Sequence, residues 1–184
     1  MMLKMNTEVK EQTQIEKIDS ACGRYKEVNK SNYIKFNKLG DWLDKESVIY
    51  KKEISINKKT FKKLHRGQVI KVDFGINIGS ELCYTHFAIV LNDNDTIYND
   101  NITIVPITSK KRENRINVGK LLHKIYPNST KYNLISYVNI LQIRTISKTR
   151  ILQDNKNYIC NNKIMDKIDK EIILQFTKKD TTNR

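Results

Sequence analysis

Long apolar runs are missing from this chain, and so are the signatures of several large enzyme classes. No stretch approaches the roughly 18–20 apolar residues that a membrane span needs. The first residues, Met1 to Glu8, hold no apolar block of the secretory kind. Cysteine is scarce: Cys22, Cys83 and Cys160 are scattered and odd in number, which argues against a disulfide framework and for a reducing, cytoplasmic setting. Cys83 and His86 have C-x-x-H spacing, but no second pair completes a zinc site, so neither metal nor cofactor is expected. P-loop, dinucleotide-binding and H-E-x-x-H patterns are absent as well. Acids are the last shortage. Against 34 Lys and Arg stand 20 Asp and Glu, a net charge of +14. Between residues 101 and 150 ten basic side chains meet one acid, Glu113. That imbalance points to a polyanionic partner.

With 184 residues the chain has room for one full domain and an appendage. Residues 1–60 read as a helical extension and linker. Val9, Ile15, Ile18 and Ala21 give a thin seam, and Ser31 can cap a second helix carrying Tyr33, Phe36, Leu39, Trp42 and Leu43. Gly40 weakens that helix, and the Lys-rich residues 51–65 read as a linker. From Arg66 the period becomes that of strands: 69–74, 87–91, 102–108, 118–125 and 135–143, with brief pairings at 150–152 and 158–159. Pro106 suggests an edge or a bulge within the third. The turns are marked by Gly75 to Thr85, by Asn92-Asp93-Asn94-Asp95 and by Pro127-Asn128-Ser129. A final helix capped by Asn162 carries Ile164, Met165, Ile168, Ile172, Ile173 and Phe176 on one face. The expected class is mainly β with helices (α+β), a small partly closed barrel over 61–184.

Several short blocks stand in a telling order. They are Arg66-Gly67, Val72-Asp73-Phe74-Gly75, Gly79-Ser80-Glu81, His86 to Leu91, Val105-Pro106-Ile107-Thr108-Ser109, and Gln142-Ile143-Arg144-Thr145-Ile146-Ser147-Lys148. Together they resemble the MazF/PemK toxins, endoribonucleases of type II toxin–antitoxin systems, over about 66–176. The resemblance implies an SH3-like, PemK-type barrel with a C-terminal helix, to which this chain adds its N-terminal extension. It further implies metal-independent cleavage of single-stranded RNA, with mRNA as the expected target, by 2′-hydroxyl attack. The ends left would be a 2′,3′-cyclic phosphate and a 5′-hydroxyl. A homodimer, a cognate antitoxin protein and DNA contact as the toxin–antitoxin complex belong to the same expectation.

Such cleavage needs a base for the 2′-hydroxyl, an acid for the leaving oxygen and donors for the phosphate. His86 suits proton transfer, since an unperturbed imidazole titrates at about 6.5. It stands where the resembled toxins carry a catalytic arginine before proline. Thr108 matches their phosphate-contacting threonine, and Glu81 their loop acid. Ser109, Lys110, Gln142, Arg144, Lys148 and Arg150 are the expected RNA-binding side chains, the last four on a strand whose alternation sets out a phosphate track. Leu141 departs from the pattern, because many relatives carry an acid there. A non-catalytic nucleic-acid-binding or regulatory module on the same fold is the alternative.

Overall fold

The computed structural model describes residues 2–31, 33–55 and 61–177. The chain divides into two compact units, 1–48 and 49–184. In the first, helix α1 (Met2–Asn29) runs without a wide apolar stripe, and its Ile15, Ile18 and Tyr25 are exposed. Ser31 does not cap the next helix. Its hydroxyl donates to the Val28 carbonyl at 2.6 Å and closes α1 instead. A 3-10 turn at Ile34–Phe36 follows, and helix α2 (Leu39–Ser55) starts eight residues after Ser31. Gly40 lies in its first turn rather than ending it. The expected linker is helical over 51–55, whereas its residues 56–60 lie outside the described ones.

The described residues of the second unit hold seven antiparallel strands: β1 (Gln68–Asp73), β2 (Thr85–Val90), β3 (Asn101–Thr108), β4 (Ile116–Asn117), β5 (Tyr137–Val138), β6 (Arg144–Ser147) and β7 (Ile151–Ile159). They are ordered β4-β5-β3-β2-β1-β7, with β6 added alongside β3. Strand β3 is the spine. β2 runs along one side of it, while β6 pairs with Asn101–Ile104 and β5 with Ile107–Thr108 on the other. Pro106 is therefore central, not at an edge. It opposes Ala88 of β2, its carbonyl accepts from Asn139 N at 3.0 Å, and its missing N–H falls in the gap between β6 and β5.

Alternation along the strands feeds two apolar clusters. Val69, Phe87, Ile89, Val105 and Ile107 face one; Ile70, Val72, Ala88, Val90, Ile102 and Ile104 face the other. Both faces of the central sheet are thus buried, which is why these strands read as nearly continuous apolar runs. Helix α4 (Asn162–Phe176) covers the first cluster with Met165 and Ile168, the latter fully buried. Its cap is Asn161, one residue earlier than expected, whose side chain accepts from Ile164 N at 3.0 Å. Ile173 and Phe176 extend the same stripe but are exposed. Arg66 ties the barrel to α4 by hydrogen bonds to the Leu91 carbonyl and the Asp169 carboxylate. Gly67 has φ +80°, and a Cβ there would meet Ile159 at 3.1 Å, so only glycine lets β1 begin this close to β7.

The segment 118–143 departs most from expectation. In place of a strand over 118–125 there is a helix, α3 (Leu121–Ile125). Leu121, Leu122 and Ile125 fit a helical turn as well as a strand, and all three pack on the first cluster. Only Tyr137 and Val138 of the expected strand 135–143 pair, and Ile140–Gln142 is a 3-10 turn. The two brief pairings near the end merge into β7, which joins β1 through two register shifts. Among the described residues no helix is long and apolar enough to cross a membrane.

Candidate active site

The loop between β1 and β2 is braced by its own polar groups. Asn77 Nδ2 donates to the carbonyls of Phe74 at 2.9 Å and Leu82 at 2.7 Å. Cys83 Sγ accepts from Asn77 N at 3.3 Å and so is engaged within the loop. Tyr84, at φ +68°, is the one non-glycine residue with positive φ among those described. Its N–H donates to Gly75 O at 2.6 Å, and Phe74 N–H donates to its carbonyl at 2.9 Å. A side chain costs about 1–2 kcal/mol in that conformation. The paired loop base compels it, and the turn delivers His86 two residues into the opening of β2.

His86 and Thr108 meet by register. Ala88 opposes Pro106 at the end of the pairing, and carrying that register two residues on puts His86 and Thr108 on one face. Both line a cleft of about 440 Å³ together with Ser109 and Lys110. The Thr108 hydroxyl accepts the Lys110 N–H at 3.2 Å, turning the chain at the strand end. His86 is half-buried, its ring edge-on to Phe74 at 6.1 Å between centroids. Burial lowers its pKa from 6.5, backbone hydrogen bonds to Cys83 and Ile107 oppose that, and the Lys110 charge adds to the lowering. The imidazole is therefore neutral at neutral pH, in the form that accepts a proton.

Arg144 and Gln142 approach from β6 and the turn before it. Arg144 stacks over the other neighbour of His86, the Phe74 ring, at 5.3 Å from its centroid. Gln142 Oε1 accepts from Arg144 Nη2 at 2.8 Å and from Leu82 N at 2.9 Å, locking the arginine to the loop. The rest of the expected track diverges. β6 ends at Ser147, and a 3-10 turn, Lys148–Arg150, replaces the alternation. Lys148 turns inward, where its Nζ bonds Asp95 Oδ2 at 2.8 Å, Thr96 O at 3.0 Å and Lys62 O at 3.2 Å. Arg150 donates to the carbonyls of Asp73 and Phe74, both at 3.4 Å, beneath the site. Glu81 is exposed in the loop and is not among the residues lining the cleft.

The sequence did not single out Lys71, Lys131 and Tyr132, which also line the cleft. Lys71 interrupts the apolar run of β1, a signal for a side chain at an open end. Lys131-Tyr132 is a basic–aromatic pair, hidden because 126–134 read only as a turn. Among the described residues no group of three or more His, Cys, Asp or Glu could hold a metal ion. Cys160 is buried, and burial pushes its thiol up to about 12, leaving it unreactive.

Comparison with known proteins gives the family. A family model described as PemK-like, MazF-like toxin of type II toxin-antitoxin system matches residues 65–176. No curated protein sequence matches the chain. Among solved structures, an endoribonuclease in complex with its cognate antitoxin from a Mycobacterial species is 19% identical, with a TM-score of 0.44, 60% of this chain and 92% of that one covered. MazF from Deinococcus radiodurans is 12% identical, with a TM-score of 0.46 and coverage of 62% and 96%. The MazE–MazF structure from the same organism is 12% identical, with a TM-score of 0.43 and coverage of 65% and 100%. With the family match spanning more than half of its length, the chain belongs to the PemK-like, MazF-like toxins of type II toxin–antitoxin systems.

Proposed function

We propose that this toxin is a metal-independent endoribonuclease that cuts single-stranded RNA, mRNA among its targets, at the His86–Thr108 cleft. The neutral His86 takes the proton of the 2′-hydroxyl as that oxygen attacks phosphorus. The 5′-oxygen leaves, and the imidazolium so formed supplies its proton. The products are a 2′,3′-cyclic phosphate and a 5′-hydroxyl. DNA lacks the attacking group and stays intact. Thr108, Ser109 and Lys110 gather donors and charge around the phosphate, and Arg144 adds its guanidinium from beyond Phe74. Glu81, outside the cleft, serves at most at the rim of the bound strand. The observation that carries the reading is a half-buried imidazole that lines one cleft with a strand-end threonine and three lysines.

The partners proposed with it are those of the family: a second copy in a homodimer, an antitoxin that occupies the cleft, and DNA held by the joint complex, all in the cytoplasm. Purified protein in EDTA is expected to cut unstructured RNA and to leave cyclic phosphate at the 3′ ends. Leu141, exposed where many relatives carry an acid, favours a second reading, a binding module without catalysis. Tight RNA binding with no cut ends, in the presence and absence of divalent ions, would establish that reading instead.

A further inference from the structure

The cleft continues past the chemistry just assigned. It wraps over the ends of β2 and β3, since His86 and Thr108 belong to one sheet face while Phe87 and Ile107, which also line it, belong to the other. Its outer wall is the segment leading into β5, whose Tyr137 opposes Thr108. That wall carries Tyr132, Leu134 and Ile135, and the two aliphatic side chains are 57% and 43% exposed. Tyr132 is fixed from within: its ring lies edge-on to Phe87 at 5.5 Å and tilted on Tyr126 at 5.0 Å. The Lys131 ammonium stands 5.8 Å from its centroid. Three lysines and no carboxylate line the cleft as a whole.

A rigid aromatic with apolar neighbours left in water, beside cations and adjoining a phosphate-reactive centre, is the chemistry of a nucleobase site. Lysines suit the backbone, and the flat apolar wall suits a base face, which alternates with phosphate along a single strand. We propose that Tyr132, Leu134 and Ile135, flanked by Lys131, form a subsite that accepts one unstacked base next to the scissile linkage and so fixes where the strand is cut. This inference rests on the proposed RNA cleavage for its meaning, but its test does not.

The probe is a single-stranded 2′-O-methyl oligonucleotide, which lacks the attacking hydroxyl and cannot be cut. Abasic units replace each base in turn, and binding to the full chain is followed by fluorescence anisotropy. Wild-type protein is expected to lose about tenfold in affinity at one abasic position. In Tyr132→Leu and in Leu134→Ser the overall affinity falls, and the same abasic unit then costs less than about twofold, because base and wall act as one contact. Losses that simply multiply at every position, or a wild type that does not bind, overturn the subsite. Should Tyr132→Leu fail to fold, Leu134→Ser at an exposed position decides alone. The cleavage reading fails separately, when unmodified RNA stays intact with the wild type.

Discussion

The two ends of β3 carry the same kind of charge and put it to opposite uses. At the Thr108 end, Lys110 stands exposed beside His86 in the cleft. At the Asn101 end, Lys148 donates its backbone N–H to Asp100 O at 2.8 Å and sinks its ammonium onto Asp95, with the two side chains 2% and 0% exposed. A cation becomes a binding group or a structural strut according to what faces it. At the first end the neighbours are hydroxyls and an imidazole, and the lysine itself is exposed. At the second, the turn after β2 supplies a carboxylate already held by the Leu64 N–H at 2.7 Å. Charge counted along the sequence cannot tell these cases apart, because the partner acid lies 53 residues away.

The sharpest way to break the comparison is to remove the imidazole. His86→Ala is expected to lower kcat by about 10²–10⁴-fold, the usual span for a lost acid–base group. Its unfolding midpoint in urea and its affinity for uncleavable RNA should change little. Unchanged cleavage by His86→Ala would move the catalytic role elsewhere in the cleft.

Removing the buried cation should act on stability instead. Lys148→Met strands the Asp95 carboxylate in the core, at a cost of about 3–5 kcal/mol read from urea unfolding. Any remaining folded fraction should cut and bind RNA with ordinary efficiency. A variant as stable as the parent but weak for RNA would place Lys148 on the phosphate track after all.

Between these extremes lies Gln142→Leu. It deletes the acceptor shared by Leu82 N and Arg144, and each unsatisfied group costs about 1–3 kcal/mol when buried. Both groups here are partly exposed, so the lower end applies to stability. Cleavage should fall about tenfold as Arg144 loses its fixed position. Milder still are Lys110→Ala and Lys131→Ala. Each is expected to reduce the slope of log affinity against log salt by about 0.7, the release of one counterion from a single strand, whereas Lys148→Met leaves that slope alone.

The sequence made the spine and the site's centre legible for a physical reason. Strands β1, β2 and β3 alternate into two buried clusters, so composition and period agree, and the turn residues read from Gly75 to Thr85 mark the loop that presents His86, although Thr85 already belongs to β2. The segment 118–143 was less legible because its apolar residues are too few to separate a helical turn from a strand. Reading Gln142 to Arg150 as one strand failed at Ser147, whose hydroxyl accepts the Thr149 N–H at 3.3 Å and starts the turn that carries Lys148 inward. The aromatic wall at Tyr132 depends on contacts with Phe87 and Tyr126, and no local pattern announces those.

Acid titration separates the two ends of β3 once more. The folded pKa of His86 lies below 6.5, with burial as the leading cause. The unfolded chain therefore binds that proton first as pH falls, so the stability tied to His86 is complete above about 6.5 and drains away below it. The same value sets activity: log kcat/KM should be flat near neutrality and fall with unit slope below the folded pKa, as free enzyme loses its base. For Asp95, burial alone would raise the pKa, but the hydrogen bonds from Lys148, Leu64 and Asn99 together hold it below the ordinary 3.8. Its contribution is complete above about 3.8 and is lost only as pH falls through that lower value. Activity is thus expected to fade in mild acid together with the His86 share of stability, while the Asp95 share gives way only later. In Lys148→Met the later loss should shrink or reverse, because an unpaired buried carboxylate gains by taking up the proton. Urea unfolding at a series of acid pH values, run on parent and variant, reads that reversal without reference to catalysis.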